Sequence, residues 1–150
     1  MSAGLDEGPI LSMQKMPITA TDTSVSIRKS MSVMGANLLV ETLKNMPQPQ
    51  PQPSSGVTIC GKLSREDGNI DPSVLTAEEI DRRIRAFNPW PGVLCTIDGR
   101  EVKLIEASLD DIPSSFPLPC AKKTTLFLTV VQEPGKNPMP VTEWRRGFRN

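Results

Sequence analysis

A chain of 150 residues has room for one domain or two small ones. Seventeen Lys and Arg balance seventeen Asp and Glu, which excludes a globally basic nucleic-acid binder and an acidic tail but leaves room for a local basic patch. Histidine is absent, so no Ser–His, Cys–His or His–zinc scheme can be assembled from this chain alone.

In chain order, Ile10 to Met16 reads as a short strand ended by Pro17. Asp22-Thr23 offers an N-cap for a helix from about Thr23 to Asn45. Ile27, Met31, Met34, Leu38, Leu39 and Thr42 recur at three- and four-residue steps, and Leu43 and Met46 extend the stripe. Core packing is the expected use of that stripe, since Met fills irregular gaps. One strand and one helix cannot bury each other, so this piece reads as the end of something larger. Residues 46–56 (MPQPQPQPSSG) alternate Pro with Gln and favour polyproline II, which makes a semi-rigid spacer. The spacer divides an N-terminal piece, 1–46, from a C-terminal one, 57–150, with 47–56 as the linker.

Thr76 and Glu79 have the spacing of a capping box, which opens a helix with Ile80, Ile84 and Phe87 inward. Arg82, Arg83 and Arg85 take its other faces, where Glu78–Arg82 and Glu79–Arg83 have a favourable pairing order. Asn88-Pro89-Trp90-Pro91 ends the helix, and Trp90 reads as a packing plug at the junction. Val93–Ile97, Asp98-Gly99 and Glu101–Ala107 form a hairpin, because Asp-Gly supplies the two positive-φ positions of a type I′ turn. Val102, Leu104 and Glu106 fall on one side of it, with Lys103 and Ile105 on the other. Leu126 to Val131 is a third strand, and Pro140 to Asn150 a short basic helix carrying Trp144 and Phe148.

Cys60, Cys95 and Cys120 form no CxxC pair, so no zinc knuckle is supported and each reads as a small buried apolar residue. Their odd number, with Asp6 and Glu7 where a signal peptide would be basic, points to reduced thiols and a cytoplasmic setting. No apolar run approaches the ~18 residues of a membrane span. The last thirty residues are the exception to neutrality. Lys122, Lys123, Lys136, Arg145, Arg146 and Arg149 stand there against only Glu133 and Glu143. Ordinary solvated surface and an RNA-backbone patch are both open readings of that cluster.

At Ile84–Gly92 (IRAFNPWPG), followed by the Gly-turn hairpin ending in Val102–Ala107 (VKLIEA), the sequence resembles methionyl-tRNA formyltransferases. Residues 61–71 (GKLSREDGNID) are similar to the family's linker. Residues 131–139 (VQEPGKNPM) with 144–148 (WRRGF) are similar to its C-terminal end. Residues 1–10 (MSAGLDEGPI) resemble the loop that carries the catalytic Asp of folate-dependent formyltransferases. The four segments run in family order.

The resemblance implies a transferase that moves a formyl group from 10-formyltetrahydrofolate to the amino group of methionyl-initiator-tRNA in translation initiation, without a metal. It implies an α+β chain: a strand–helix remnant of a Rossmann-like formyltransferase domain, the Pro-rich linker, and a small OB-like β-barrel that helps hold the tRNA. Asp6 then matches the catalytic Asp, Gly4 and Leu5 lie beside the folate site, and the six cations at the C-terminal end face the tRNA. Departures are plain. The family's catalytic His and Asn have no counterpart, and Ser2, Glu7 and Pro9 replace the usual Asp, Thr and second Asp. Two glycine-bearing strands expected between Ser108 and Thr125 are not recognisable, so the barrel is expected to be abbreviated. The chain thus reads as a C-terminal fragment, inactive alone and in need of an N-terminal formyltransferase segment. Two alternatives are a non-catalytic tRNA-binding module and a formyltransferase-fold enzyme acting on another amine.

Overall fold

The computed structural model describes residue 4 and residues 6–148, and for Phe148 the backbone alone. The chain divides into two compact units, Met1–Lys62 and Leu63–Asn150.

The first unit is built on one helix, α1 (Ser24–Asn45). Its start is fixed locally. The Thr23 hydroxyl accepts the Ser26 N–H at 3.1 Å, and the Ser26 hydroxyl accepts the Thr23 N–H at 3.0 Å. Its end is marked by Met46 in the left-handed region (φ 37°), followed by Pro47. The expected strand at Ile10–Met16 does not form. Ile10 alone pairs, with Gln50, through two hydrogen bonds of 2.8 Å. Pro49 and Pro51 flank Gln50 and have no N–H to extend the ladder.

The expected core stripe of α1 is not a core in this unit. Met31, Leu39, Leu43 and Met46 are all more than half exposed, and Thr42 is the buried residue of the helix. At 100° per residue, Ile27, Met34 and Leu38 mark one side, and Val25, Ala36, Val40 and Leu43 the opposite side. The helix is therefore apolar on two faces.

The second unit is an α+β fold with its own core. It contains α2 (Ala77–Phe87), β1 (Val93–Ile97), β2 (Arg100–Ser108), β3 (Phe116–Pro119), β4 (Thr125–Gln132), β5 (Met139–Pro140) and α3 (Val141–Trp144). The strands make one antiparallel sheet in the order β1-β2-β4-β3, with β5 also paired to β4. Among the described residues no pairing joins β1 to β3, so the sheet is open. The hairpin is as the Asp-Gly turn predicts, with φ 48° at Asp98, φ 77° at Gly99 and Ile97 opposite Arg100. Helix α2 starts at the predicted box, where the Glu79 carboxylate accepts the Thr76 N–H at 2.7 Å. Its Ala77, Ile80 and Ile84 pack on Val93, Val102, Leu104, Leu126, Leu128 and Val131.

Several details correct the expectations. Trp90 is 55% exposed and lies outside this core. Glu106 is exposed rather than in line with Val102 and Leu104, because the β2–β4 register slips on both sides of it. Strand β3 escapes sequence reading because Pro117 and Pro119 lie within it. It tolerates them as an edge strand whose prolines alternate with the core-facing Leu118. Cys95 is buried and Cys120 half-buried, but Cys60 is exposed. The ion pair seen on α2 is Arg85 with Asp81 at 2.9 Å, since Glu79 is engaged in the cap.

The segment before α2 is fastened to the sheet. Ile70 N–H bonds the Leu94 carbonyl at 2.9 Å, and Gly68 is buried against Gly92, where a Cβ would fall on the Gly92 carbonyl oxygen. Asn88, after α2, donates through Nδ2 to the carbonyls of Leu104 and Ile105. These bonds explain why the Gly68 and Asn88 neighbourhoods read as motifs: each closes a backbone contact that another side chain would not make.

Candidate functional site

Two surfaces carry the residues of interest. The first is the N-terminal loop. Asp6 is exposed, with φ 59°, and its carbonyl accepts the Gln52 side-chain N–H at 2.7 Å. The same amide nitrogen reaches the Gly8 carbonyl at 2.7 Å. At Gly4 a Cβ would meet the carboxylate of the exposed Glu7 side chain, which is free to swing away. Leu5 lies outside the described residues. Asp6 and Glu7 open onto a cleft of ≈ 840 Å³ shared with Gln52, Val57, Ile59 and Cys60.

The second surface carries the cations. They do not form one patch. Lys122 and Lys123 occupy the turn before β4 and Lys136 the turn after it, with roughly 25 Å of strand between. Arg149 lies outside the described residues.

Of the cations near α3, Lys136, Arg100 and Arg145 are engaged by protein groups, whereas Arg146 is exposed and, among the described residues, makes no ion pair within 4.0 Å. Glu133 is the hub. It receives the Trp144 indole N–H at 3.1 Å, bonds Lys136, and stands 3.6 Å from the Arg100 guanidinium. The Lys136 hydrogen bond, with that of Trp144 and the charges of Lys136 and Arg100, holds the Glu133 carboxyl below its ordinary range. Arg100 also donates to the Gly147 carbonyl at 3.1 Å. Arg145 lies 5.5 Å over the ring of Phe116, which itself meets Trp144 edge-on at 5.7 Å. Sequence reasoning missed the roles of Glu133 and Phe116; in sequence, Glu133 is only an acidic residue among basic ones.

The Lys122–Lys123 turn differs. Both residues are left-handed, with φ 54° and 60°, and the Thr124 N–H closes on the Ala121 carbonyl at 3.2 Å. This is the type I′ arrangement, which favours Asn-Gly. For a residue with a Cβ the left-handed region costs roughly 1–2 kcal/mol. The turn is clamped from α2's side. Ala121 N–H bonds the Pro72 and Leu75 carbonyls, each at 2.9 Å, and the Thr124 hydroxyl accepts the Ala77 N–H at 2.9 Å.

Cys95 and Cys120 offer little chemistry. Burial, helped by nearby Cys120, pushes Cys95 up to about 12, and burial also raises Cys120. Among the described residues no group of three or more His, Cys, Asp or Glu is placed to hold a metal.

An open antiparallel sheet that packs on α2 and on Val141 and Trp144 of α3 defines the class. Residues 62–149 match the family described as formyl transferase, C-terminal domain, and the chain belongs to that family. Among its relatives is the methionyl-tRNA formyltransferase of Paracoccus denitrificans (strain Pd 1222). It is 38% identical over 156 residues, covering 99% of this chain and 52% of that protein. The methionyl-tRNA formyltransferase of Janthinobacterium sp. (strain Marseille) is 34% identical over 167 residues, with the same two coverages of 99% and 52%. The chain thus spans about half the length of the curated relatives it matches. HypX from Aquifex aeolicus shares the fold. One variant superposes with a TM-score of 0.73 at 17% identity, over 98% of this chain and 30% of its own. The same protein in complex with tetrahydrofolic acid gives 0.70 at 19% identity, over 98% and 29%.

Proposed function

We propose that the chain is the part of a methionyl-tRNA formyltransferase that runs from the catalytic-aspartate loop through the C-terminal domain, serving translation initiation in the cytoplasm. In this reading residues 1–46 are the end of a Rossmann-like catalytic domain, 47–56 a linker, and 57–150 the tRNA-holding domain. Its open sheet is then an abbreviated OB-like barrel. The observation that carries the proposal is the match of relatives named methionyl-tRNA formyltransferase to 99% of the chain, at 34–38% identity. The two-faced apolar surface of α1 supports the Rossmann-like assignment, because a helix with apolar residues on opposite faces has a surface to bury on each side.

Asp6 takes the position of the family's catalytic Asp, beside Gly4 and Leu5. In the complete enzyme that carboxylate would orient or deprotonate a His and a water, letting the attacking amine lose its proton. The chain has no His, so Asp6 has no such partner here. The described lining of the cleft does not fit 10-formyltetrahydrofolate alone: Asp6 and Glu7 would set two carboxylates against a co-substrate with an anionic glutamate tail. A complementary N-terminal formyltransferase segment would supply the rest of the folate pocket.

The test is direct. The purified 150-residue chain should transfer no formyl group from 10-formyltetrahydrofolate to methionyl-tRNA above the uncatalysed background. Turnover that survives repurification and disappears on Asp6→Asn would overturn the assignment of inactivity. A second reading, a non-catalytic tRNA-binding module, is favoured by the complete core and exposed cations of residues 63–148.

A further inference from the structure

The geometry points to the Lys122–Lys123 turn as a preformed hook for the phosphate backbone of RNA. This deepens, and rests on, the RNA-contact role proposed above. Neither lysine suits its backbone position, since positive φ at both centres of a type I′ turn favours Asn-Gly. The other tight hairpin of the unit meets the same demand with Asp98-Gly99. Two side chains with no local conformational reason to be there are therefore held at a turn where smaller ones would fit better. An outlier of this kind motivates a functional reading.

The lysines are presented, not folded back. Both are exposed, and among the described residues neither makes an ion pair within 4.0 Å. The turn beneath them is rigid, clamped by the bonds from Ala121 to Pro72 and Leu75 and from Ala77 to Thr124. Helix α2 extends the charge. Arg82 and Arg83 line a shallow cleft of ≈ 280 Å³ with Leu75, Glu79, Ala86 and Phe87. The Glu79 carboxyl, lowered first by its Thr76 hydrogen bonds, is lowered further by the charges of Lys122 and Arg82.

The opposing carboxylates are Glu78, Glu79 and Asp67. Glu79 is engaged in the α2 cap, and Asp67 accepts the Ser64 N–H while sensing Arg83. Four cations against three carboxylates make a weak surface, suited to backbone contact without base readout. The α3 end is the poorer candidate, because Lys136 and Arg100 are held by Glu133 and Arg145 covers Phe116, which leaves Arg146 to stand there without an ion pair among the described residues.

The experiment measures binding of the full chain to tRNA as a function of salt. Removing one phosphate interaction lowers the steepness of the log–log salt dependence by about one. The pair Lys122→Asn with Lys123→Gly removes both charges and satisfies the turn. It should keep or raise the melting temperature while lowering the slope by about two. Lys122→Gln with Lys123→Gln keeps the backbone strain and should lower the slope equally, whereas Lys122→Arg with Lys123→Arg should retain it. If the parent chain binds and both neutral pairs keep its slope, the hook is wrong and the RNA role stands elsewhere on the molecule. If the parent binds no tRNA at low salt, the RNA role itself fails and takes the hook with it.

Discussion

Helices α1 and α2 begin alike and end up in different circumstances. Each opens on a threonine capping box, Thr23–Ser26 and Thr76–Glu79, and each carries aliphatic residues at helical spacing. Yet α1, at 22 residues, buries only Thr42, whereas α2, at 11 residues, buries Ala77, Ile80 and Ile84. Local signals fix where a helix starts and stops; what stabilises it is the surface it meets. In the second unit a five-stranded sheet receives the apolar face of α2. In the first unit the described residues leave Val25, Val33, Leu39, Val40 and Leu43 at least half exposed.

The sharpest way to break this contrast is to truncate one residue in each helix. Ile84→Ala removes a side chain that is 4% exposed and should cost about 2–5 kcal/mol in urea unfolding. Leu43→Ala, at 63% exposure, should stay within about 0.5 kcal/mol. A Leu43→Ala variant as damaged as Ile84→Ala would show that α1 is covered in solution, and the two helices would no longer differ.

A smaller effect tests whether the segment before α2 belongs to the stable unit. Gly68 is buried and its Cα faces the Gly92 carbonyl with no room for a methyl group. Gly68→Ala should therefore force the 66–71 segment away from β1 and destabilise by about 1–3 kcal/mol, as overpacking does. Hydrogen exchange should speed up at Ile70, whose N–H bonds Leu94. An unchanged Ile70 amide and an unchanged midpoint would detach this segment from the core. The same substitution at Gly61, where a Cβ meets nothing within 4 Å, should be silent.

How much of this was legible in sequence follows the range of the forces involved. The α2 cap, the Asp98-Gly99 hairpin, β4 and α1 were readable because each is set by a few adjacent residues. Strand β3 was not, since FPLP has two prolines and only its edge position makes them harmless. Trp90 looked like a plug because aromatics between prolines often pack, and its exposure is decided by tertiary context. Of the site, the cations were countable but not locatable. That Lys122 and Lys123 stand apart from Lys136 depends on the length of β4, and the hub at Glu133 draws in Arg100 from β2, far from it in sequence, beside the nearer Lys136 and Trp144. The left-handed Lys–Lys turn was invisible because its sequence contradicts its geometry.

The smallest expected effect concerns that Glu133 hub and has a defined direction in pH. The Lys136 hydrogen bond, with help from Trp144 and Arg100, holds the folded Glu133 carboxyl below its ordinary value of 4.5. A carboxyl depressed by folding stabilises the protein above its unfolded pKa, and that contribution is lost as pH falls through the folded one. Glu133→Gln keeps an oxygen to accept the Trp144 N–H but loses the charge that faces Lys136 and Arg100. Its melting temperature should lie below the parent's near pH 7, and the gap should close on acidification from about pH 5 towards pH 3. Because Lys136 and Arg100 are themselves exposed, the gap should also shrink in high salt. A gap that is constant across both pH and salt would mean that Glu133 acts only by shape, and that the terminal helix is held by Trp144 packing alone.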